Sequence, residues 1–468
     1  MFNNTFENYQ SIVIKKDHIM RTKIYMLLLC CTLFFQFSCT QKRKNDNQMQ
    51  ELPFTQFQWN VVDKEGNEQF IDTVEYNDKI ALHLPKGHIA YLKNKTFKDF
   101  EIEFDVIGFV MPGLGFRGQD KENYELIYFR ENSSNKKDAL QYIPIFNGSL
   151  PWQLYNYPKY EASATFMEEK IASFPLSIEN YLKMGVISDS LRLKLKEKGV
   201  GYSPNAQVQL VNEKTWGIGD AEQFKGSFLR KTATNWELWN PNVWSHIKII
   251  VVGDRASVYV LDMEVPKMTV KLKRDVKAGD ISLRNQFFDA FFTNVSIKDL
   301  GDGTLSIKNN REDVLSDNYI KKWQISPKFI KNENGTLSQL DSIQENDATW
   351  KSVETDVDGL LNVSRFIGQM KGSVALKTTI HSESKQDVGM HIGFAKHLIV
   401  LLNNEVIFNK EMDMEKEEGR VFVDNESLNL NLLQGKNNLL MILTGDEQYQ
   451  QNWGIIAKLD KLKGIQMD

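Results

Sequence analysis

The chain has 468 residues, 57 Lys and Arg against 61 Asp and Glu (formal charge −4), 41% hydrophobic and 11% aromatic residues. That length supplies two or three domains with cores of their own, the apolar content excludes wholesale disorder, and the near-neutral balance gives no footing to a nucleic-acid binder held by bulk electrostatics. All three cysteines, Cys30, Cys31 and Cys39, fall in the first 39 residues, which excludes a disulfide scaffold and thiol chemistry in the folded body.

In chain order the first feature is residues 20–39, MRTKIYMLLLCCTLFFQFSC. Arg21 and Lys23 precede an apolar run from Ile24 to Phe37. The run is too short for a bilayer core, which needs about 20 residues, and suits the apolar segment of a secretory leader. Ser38 and Cys39 follow, then the polar stretch TQKRKNDNQMQ. This resembles a bacterial lipoprotein signal starting at Met20, although Gln36 stands where that family prefers an aliphatic residue. The resemblance implies cleavage before Cys39, lipidation of Cys39 and a membrane partner, with the protein in the bacterial cell envelope, facing the periplasm or the exterior. An uncleaved apolar anchor is the competing reading. On the lipoprotein reading, residues 1–39 are signal and lipid site, and 40–52, polar and aperiodic, are a flexible tether.

From residue 53 apolar side chains recur at every second position. In FEIEFDV, Phe100, Ile102, Phe104 and Val106 share one face and Glu101, Glu103 and Asp105 the other, the pattern of a half-buried antiparallel strand. Similar runs cover 79–84, 124–130, 140–146, 246–252, 256–261, 281–284 and 291–297. Turn signals separate them, among them Pro112-Gly113, Asn147-Gly148, Gly253-Asp254 and Gly279-Asp280. Many short strands at this spacing predict a β-sandwich or jelly roll over 53–300. An insertion at 167–234 interrupts it. Its first half has helical spacing at Ile178, Tyr181, Leu182, Met184, Leu191, Leu193 and Leu195. The insertion is therefore expected to be partly helical, either a helical pair packed on a sheet or a lid over a site.

The stretches GLGFRGQDKENYELIYFR, ALQYIPIFNGSLPWQLY and WSHIKIIVVGDRASVYVLDMEVPKMTVKLKRD resemble the concanavalin A-like lectin/glucanase superfamily. The nearest likenesses are laminin-G-like domains and the domain of unknown function 1080 group, some of whose members hydrolyse 3-keto-glycosides. The resemblance implies a sandwich that binds a carbohydrate ligand on a concave face, or a glycoside hydrolase, or an envelope adhesion module. After a polar linker at 301–318, alternation returns at 374–380, 389–394, 398–402, 406–408, 427–432 and 438–443. There IKKWQISPKF, HIGFAKHLIVLLNNEVIFN, LNLLQGKNNLLMIL and WGIIAKL resemble the galactose-binding-like jelly roll, with Leu402-Asn403-Asn404 and Leu432 to Asn437 as its turns. The fold class predicted is mainly β: two antiparallel jelly-roll sandwiches, 53–300 and 319–468.

Flat aromatic rings and planar donors bind sugars, so the candidate ligand-binding set is Arg117, Tyr128, Arg130, Gln141 and Trp152, with Tyr124 on the same strand face and Asp120, Asn123 and Glu125 at the rim. The alternative is that these arginines pair with Asp120 or Glu125 and fasten strands, with Trp152 in the core. Trp216, Trp236 and Trp239, in or beside the insertion, either cap a cleft or anchor a loop. Glu101, Glu103 and Asp105 are not in the acid order of a glucanase and read as a solvated outer face. No catalytic residue is assigned. His83 with His88, and His391 with His397, lack a third ligand, so no metal site is assigned. No cofactor is expected, although the laminin-G-like resemblance makes Asp299, Asp302 and Asn309 candidate contacts for Ca²⁺.

Overall fold

Alternation of large apolar with polar residues builds two face-to-face sheets in the first half of the chain. In the computed structural model, which describes residues 48–108, 110–178, 208–212, 215–218, 228–240, 242–301, 315–329, 349–368, 372–445 and 453–467, both are eight-stranded and antiparallel. One runs in the order Met268–Lys271, Arg255–Val260, Ser245–Val252, Phe100–Gly108, Ala290–Asp299, Lys79–Leu84, Thr73–Tyr76, with Gln50–Glu51 as an eighth strand on Ala290–Asp299. The other runs Glu161–Ala162, Leu140–Ile145, Asn123–Phe129, Gly113–Asp120, Asp280–Arg284, Ile89–Leu92, Trp59–Val62, Glu68–Gln69. Rings meet between them: Phe100 lies 5.8 Å from Phe116 and Phe104 lies 6.1 Å from Phe129, centroid to centroid. Each such side chain, fully buried, contributes about 1.5–3 kcal/mol.

The stretch expected to be a tether already belongs to the fold at its end. Gln50–Glu51 pairs with Ser296 and Ile297, and Leu52 is buried in the core. An apolar residue two positions past a free sheet edge gains more from burial than from remaining in a linker.

The expected helical character of the insertion is not seen among the described residues. Among the described residues there is no α-helix, and the insertion contributes strands to a separate five-stranded sheet, in the order Glu169–Pro175, Asn235–Asn240, Phe228–Lys231, Thr215–Ile218, Val208–Asn212. Glu169–Pro175 pairs with Asn235–Asn240 along its length, which satisfies its backbone without helical bonds, and Pro175 would break a helix at that point. Of the residues whose spacing suggested a helix, Ile178 ends a short 3-10 turn, while Tyr181, Leu182, Met184, Leu191, Leu193 and Leu195 lie outside the described residues.

The second sandwich has a seven-stranded sheet built on the pairing of Ser373–Ser382 with Gly435–Thr444, and a four-stranded sheet of Leu360–Asn362, Gly454–Leu459, Gln386–Phe394 and Glu426–Leu432. Trp323, Leu376, Phe394, Met441 and Trp453 are buried between them. The Asn403-Asn404 hairpin has φ of 51° and 71°, the left-handed pair that asparagine tolerates. Asn437 is fully buried. It fixes the neighbouring turn by accepting from the Leu433 N–H and donating to the Leu433 carbonyl.

The acidic face of the Phe100–Gly108 strand is not simply solvated. Asp105 is only 7% exposed because partners converge on it: His246 Nδ1 at 2.7 Å, Lys79 Nζ at 2.7 Å and Asn294 Nδ2 at 2.7 Å. Burial opposes its ionisation, but the bonds from His246, Lys79 and Asn294 outweigh that and hold its pKa at about 2. Reciprocally, the Asp105 hydrogen bond raises His246 above its usual 6.5. A lowered carboxyl stabilises above its unfolded pKa and loses that stability as pH falls toward 2. A raised imidazole stabilises below 6.5 and loses it as pH climbs through the raised value. The pair should therefore contribute most between about pH 4 and 6.5. Asp105→Asn should cost on the order of 2 kcal/mol in that window, and His246→Ala should cost more at pH 5.5 than at pH 9. Thermal melts across pH check both, and a pH-independent His246→Ala effect contradicts the assignment.

Candidate functional site

The strand register sorts the sheet containing Asn123–Phe129 into two faces. Leu114, Phe116, Ile127, Phe129, Leu140 and Tyr142 point into the sandwich. Their alternates Gly113, Gly115, Tyr124, Leu126, Tyr128, Gln141 and Ile143 face away from it, and so do Ser282 and Arg284 on the next strand and Tyr91 beyond. The sequence-predicted aromatic and amide set is thus largely on one outer face, and that face divides into two halves.

The first half is closed. Tyr128 and Gln141 have no solvent exposure, and the Tyr128 hydroxyl donates to Gln141 Oε1. Arg130 Nη2 donates to the same Oε1 at 2.7 Å and to the Tyr128 hydroxyl at 2.9 Å. Gln141 Nε2 is consumed by the carbonyls of Trp152 at 2.7 Å and Tyr155 at 2.6 Å. Burial pushes the Tyr128 phenol up to about 12, so it is a neutral donor at physiological pH.

What closes it directly is the first sandwich's own segment 150–160, which supplies those two carbonyls, and the second sandwich packs onto that segment. Arg420 is buried and donates to Glu161 Oε1 at 2.5 Å and to Asn156 Oδ1 at 3.2 Å, with its guanidinium 5.4 Å from the Trp152 ring. Arg130 reaches the same Glu161 oxygen at 3.5 Å. Gln153 donates to the Glu418 carbonyl at 2.6 Å and Asn156 to the Val421 carbonyl at 3.0 Å. At the far end Asp358 receives Tyr160, Lys273 and Lys159, the last at 2.8 Å. Burial pushes that carboxyl up, but Lys273, Lys159 and Tyr160 offset it and hold its pKa at about 2. Asn362 donates to the Tyr155 hydroxyl at 3.1 Å, and Asn147 to the Ser364 carbonyl at 2.7 Å. Gly454 is a glycine because a Cβ there would come within 2.7 Å of Leu154.

The remaining sequence-predicted residues are dispersed. Arg117 is buried against Asp99 (3.0 Å) and the Lys98 carbonyl (2.7 Å), not against Asp120 or Glu125. Asp120 closes its own turn by accepting from the Glu122 N–H and from Asn123 Nδ2. Glu125 points inward and accepts from the Tyr142 hydroxyl at 2.7 Å and the Arg274 N–H at 3.0 Å; burial raises its pKa. Trp152 is half-buried, beside Arg420. In the insertion Trp236 is buried and Trp239 donates to Glu237 at 3.2 Å, while the Trp216 side chain lies outside the described residues. Asp299 accepts from the Gly301 N–H at 2.8 Å, and Asp302 and Asn309 lie outside the described residues. Among the described residues no group of three or more His, Cys, Asp or Glu side chains is placed to hold a metal ion.

The other half is built around Arg284, half-buried, with its guanidinium 3.7 Å from the Tyr124 ring centroid and 5.6 Å from that of Tyr91. Arg284 Nε donates to Ser282 Oγ at 2.9 Å, Nη1 to the Tyr124 hydroxyl at 2.6 Å and Nη2 to the Tyr91 hydroxyl at 3.1 Å. Gly115 makes the floor. A Cβ there would lie 2.5 Å from Ser282 Oγ and 2.8 Å from Arg284 Nε, so any side chain would expel the cluster. Of these residues only Tyr124 was legible as a site candidate. Arg284 and Tyr91 carry a weak signal, as polar or amphipathic members of apolar strands, but their meeting depends on a pairing between Ile89–Leu92 and Asp280–Arg284 that no local pattern reveals.

No protein-family model matches the chain, and no curated protein matches it. Among solved structures, a carbohydrate-binding module, CBM66 from Bacillus subtilis, is similar at 13% identity and TM-score 0.28, over 53% of this chain and 99% of that one. Domain 4 of the extracellular arabinanase AbnA from Geobacillus stearothermophilus, in complex with arabinotriose, is similar at 9% identity and TM-score 0.25, over 52% and 82%. An anti-sigma factor domain-containing protein from Clostridium clariflavum is similar at 8% identity and TM-score 0.20, over 90% and 95%. At such scores the functional reading rests on the residues of this chain.

Proposed function

We propose that the first sandwich binds carbohydrate at the Tyr91–Arg284–Tyr124 cluster. The observation that carries this is a half-buried guanidinium that hydrogen-bonds two tyrosine hydroxyls, with Tyr91 beside it half-buried and Tyr124 buried beneath it (7% exposed). Sugars offer apolar C–H faces to rings and hydroxyl oxygens to planar N–H donors, and both chemistries stand together here. The closed half, with Tyr128, Arg130 and Gln141, acts in this reading as support: its hydrogen bonds are spent within the protein. Glu101, Glu103 and Asp105 sit on the opposite sheet, with Asp105 tied to His246 and Lys79, so they favour binding over hydrolysis at this face.

The second part of the proposal is the address: an acyl chain on Cys39 that presents this face at the surface of a membrane of the cell envelope. The support is the sequence alone, namely Arg21 and Lys23, the apolar run and the abrupt polar stretch after Cys39.

Two measurements test these claims. A glycan array followed by titration calorimetry should find a ligand whose binding Tyr91→Ala weakens about tenfold, roughly 1.4 kcal/mol, while Tyr128→Phe leaves it unchanged. Equal loss in both variants would remove the site from this half of the face. Intact mass of the membrane-extracted protein should show a chain beginning at a lipid-modified Cys39, and a free Cys39 thiol would defeat the anchor.

A further inference from the structure

The hydrogen-bond inventory of the open cluster is one-sided. A guanidinium has five N–H donors, and Arg284 spends one each on Ser282, Tyr124 and Tyr91, which leaves one on each terminal nitrogen. All three partners are neutral hydroxyls. By contrast, Arg117 on this sandwich meets Asp99, and Arg130 meets Asp138 and Glu161. Among the described residues no Asp or Glu lies within ion-pair distance of Arg284, and its neighbours on the face, Gly113, Gly115, Tyr91, Tyr124, Leu126 and Ser282, include no acid.

The two phenols add to the imbalance. Each accepts a hydrogen bond from Arg284, so each keeps its own O–H proton to donate elsewhere. Arg284 therefore keeps two N–H groups and the half-buried Tyr91 its O–H, around a positive charge that no acid pairs, while Tyr124 lies buried beneath. A neutral sugar hydroxyl, which both donates and accepts, leaves such a site partly unsatisfied. A carboxylate only accepts, has lone pairs for several donors, and matches the planar guanidinium fork.

We infer that the saccharide taken by this cluster is acidic, a uronic acid residue whose carboxylate is received by Arg284 with Tyr91. This rests on the carbohydrate-binding reading and specifies its substrate class. Gly115 pre-organises the receptor, since the guanidinium lies over a floor without a side chain and needs no reorganisation to bind.

The test uses the full mature chain and calorimetry with oligosaccharides of galacturonate, glucuronate, mannuronate and guluronate, each beside its carboxyl-reduced neutral counterpart and a sulfated neutral glycan. At least one uronate should bind tenfold or more tightly than its reduced counterpart, with affinity falling as salt rises. Arg284→Gln should abolish that preference, and Arg284→Lys, which keeps the charge without the fork, should restore part of it. Equal or tighter binding of the reduced sugars, or binding of the sulfated glycan alone, overturns the acidic-sugar inference and leaves carbohydrate binding standing. Binding of no saccharide, neutral or charged, overturns both.

Discussion

The contact between Arg420 and Glu161 decides what the rest of this molecule can do. It brings a guanidinium of the second sandwich onto the first, where Arg130 shares the same Glu161 oxygen and the Trp152 ring lies 5.4 Å away. Two charges taken out of water are costly, and a buried ion pair is weak evidence for stability as such. Its effect is on register. Taking away one member of such a pair generally costs about 3–5 kcal/mol, because the survivor is stranded without solvent. The second sandwich therefore has one seat on the first, which the Asp358 cluster and the contacts of Asn147, Asn156 and Asn362 share.

That seat and the segment beneath it explain the division of the sheet face. Strand alternation alone would leave Tyr128, Gln141 and Ile143 as accessible as Tyr91 and Arg284, which are half-buried. The first sandwich's own segment 150–160, with the second sandwich packed onto it, makes the first group an interior: the Gln141 amide donates to the Trp152 and Tyr155 carbonyls and the Tyr128 phenol to Gln141. Beyond the covered half, Gly115 clears room for a guanidinium to lie flat against the strand, between two rings that fix its plane. A side chain fixed in this way gives up little freedom when a ligand arrives.

The fold was legible because period-two patterning is local. The strands at Lys79–Leu84, Phe100–Gly108 and His397–Leu402 follow from their own residues, and so does the Asn403-Asn404 turn. At the start of the insertion, Glu169–Pro175 is a strand that local spacing does not announce, because its partner strand begins at Asn235, while Leu191, Leu193 and Leu195 lie outside the described residues. The end of the stretch taken for a tether is hidden in the same way, since Gln50 finds Ile297 across most of the first domain. The site was half legible. The sequence grouped Tyr128, Arg130 and Gln141, and the three hydrogen-bond to one another, but no local pattern announces that the Trp152 and Tyr155 carbonyls will use up the Gln141 amide. Arg284 and Tyr91 escaped notice for the complementary reason: each is ordinary in its own strand and becomes distinctive only where the strands pair.

The central claim is that Tyr128 is interior while Tyr91, beside Arg284, is accessible, and oxidative footprinting of tyrosines, read by mass spectrometry, tests it most directly. The account predicts hydroxylation of Tyr91 under native conditions, with Tyr128 and Tyr155 protected until the protein unfolds. Native-state labelling of Tyr128 at the rate of Tyr91 would contradict it.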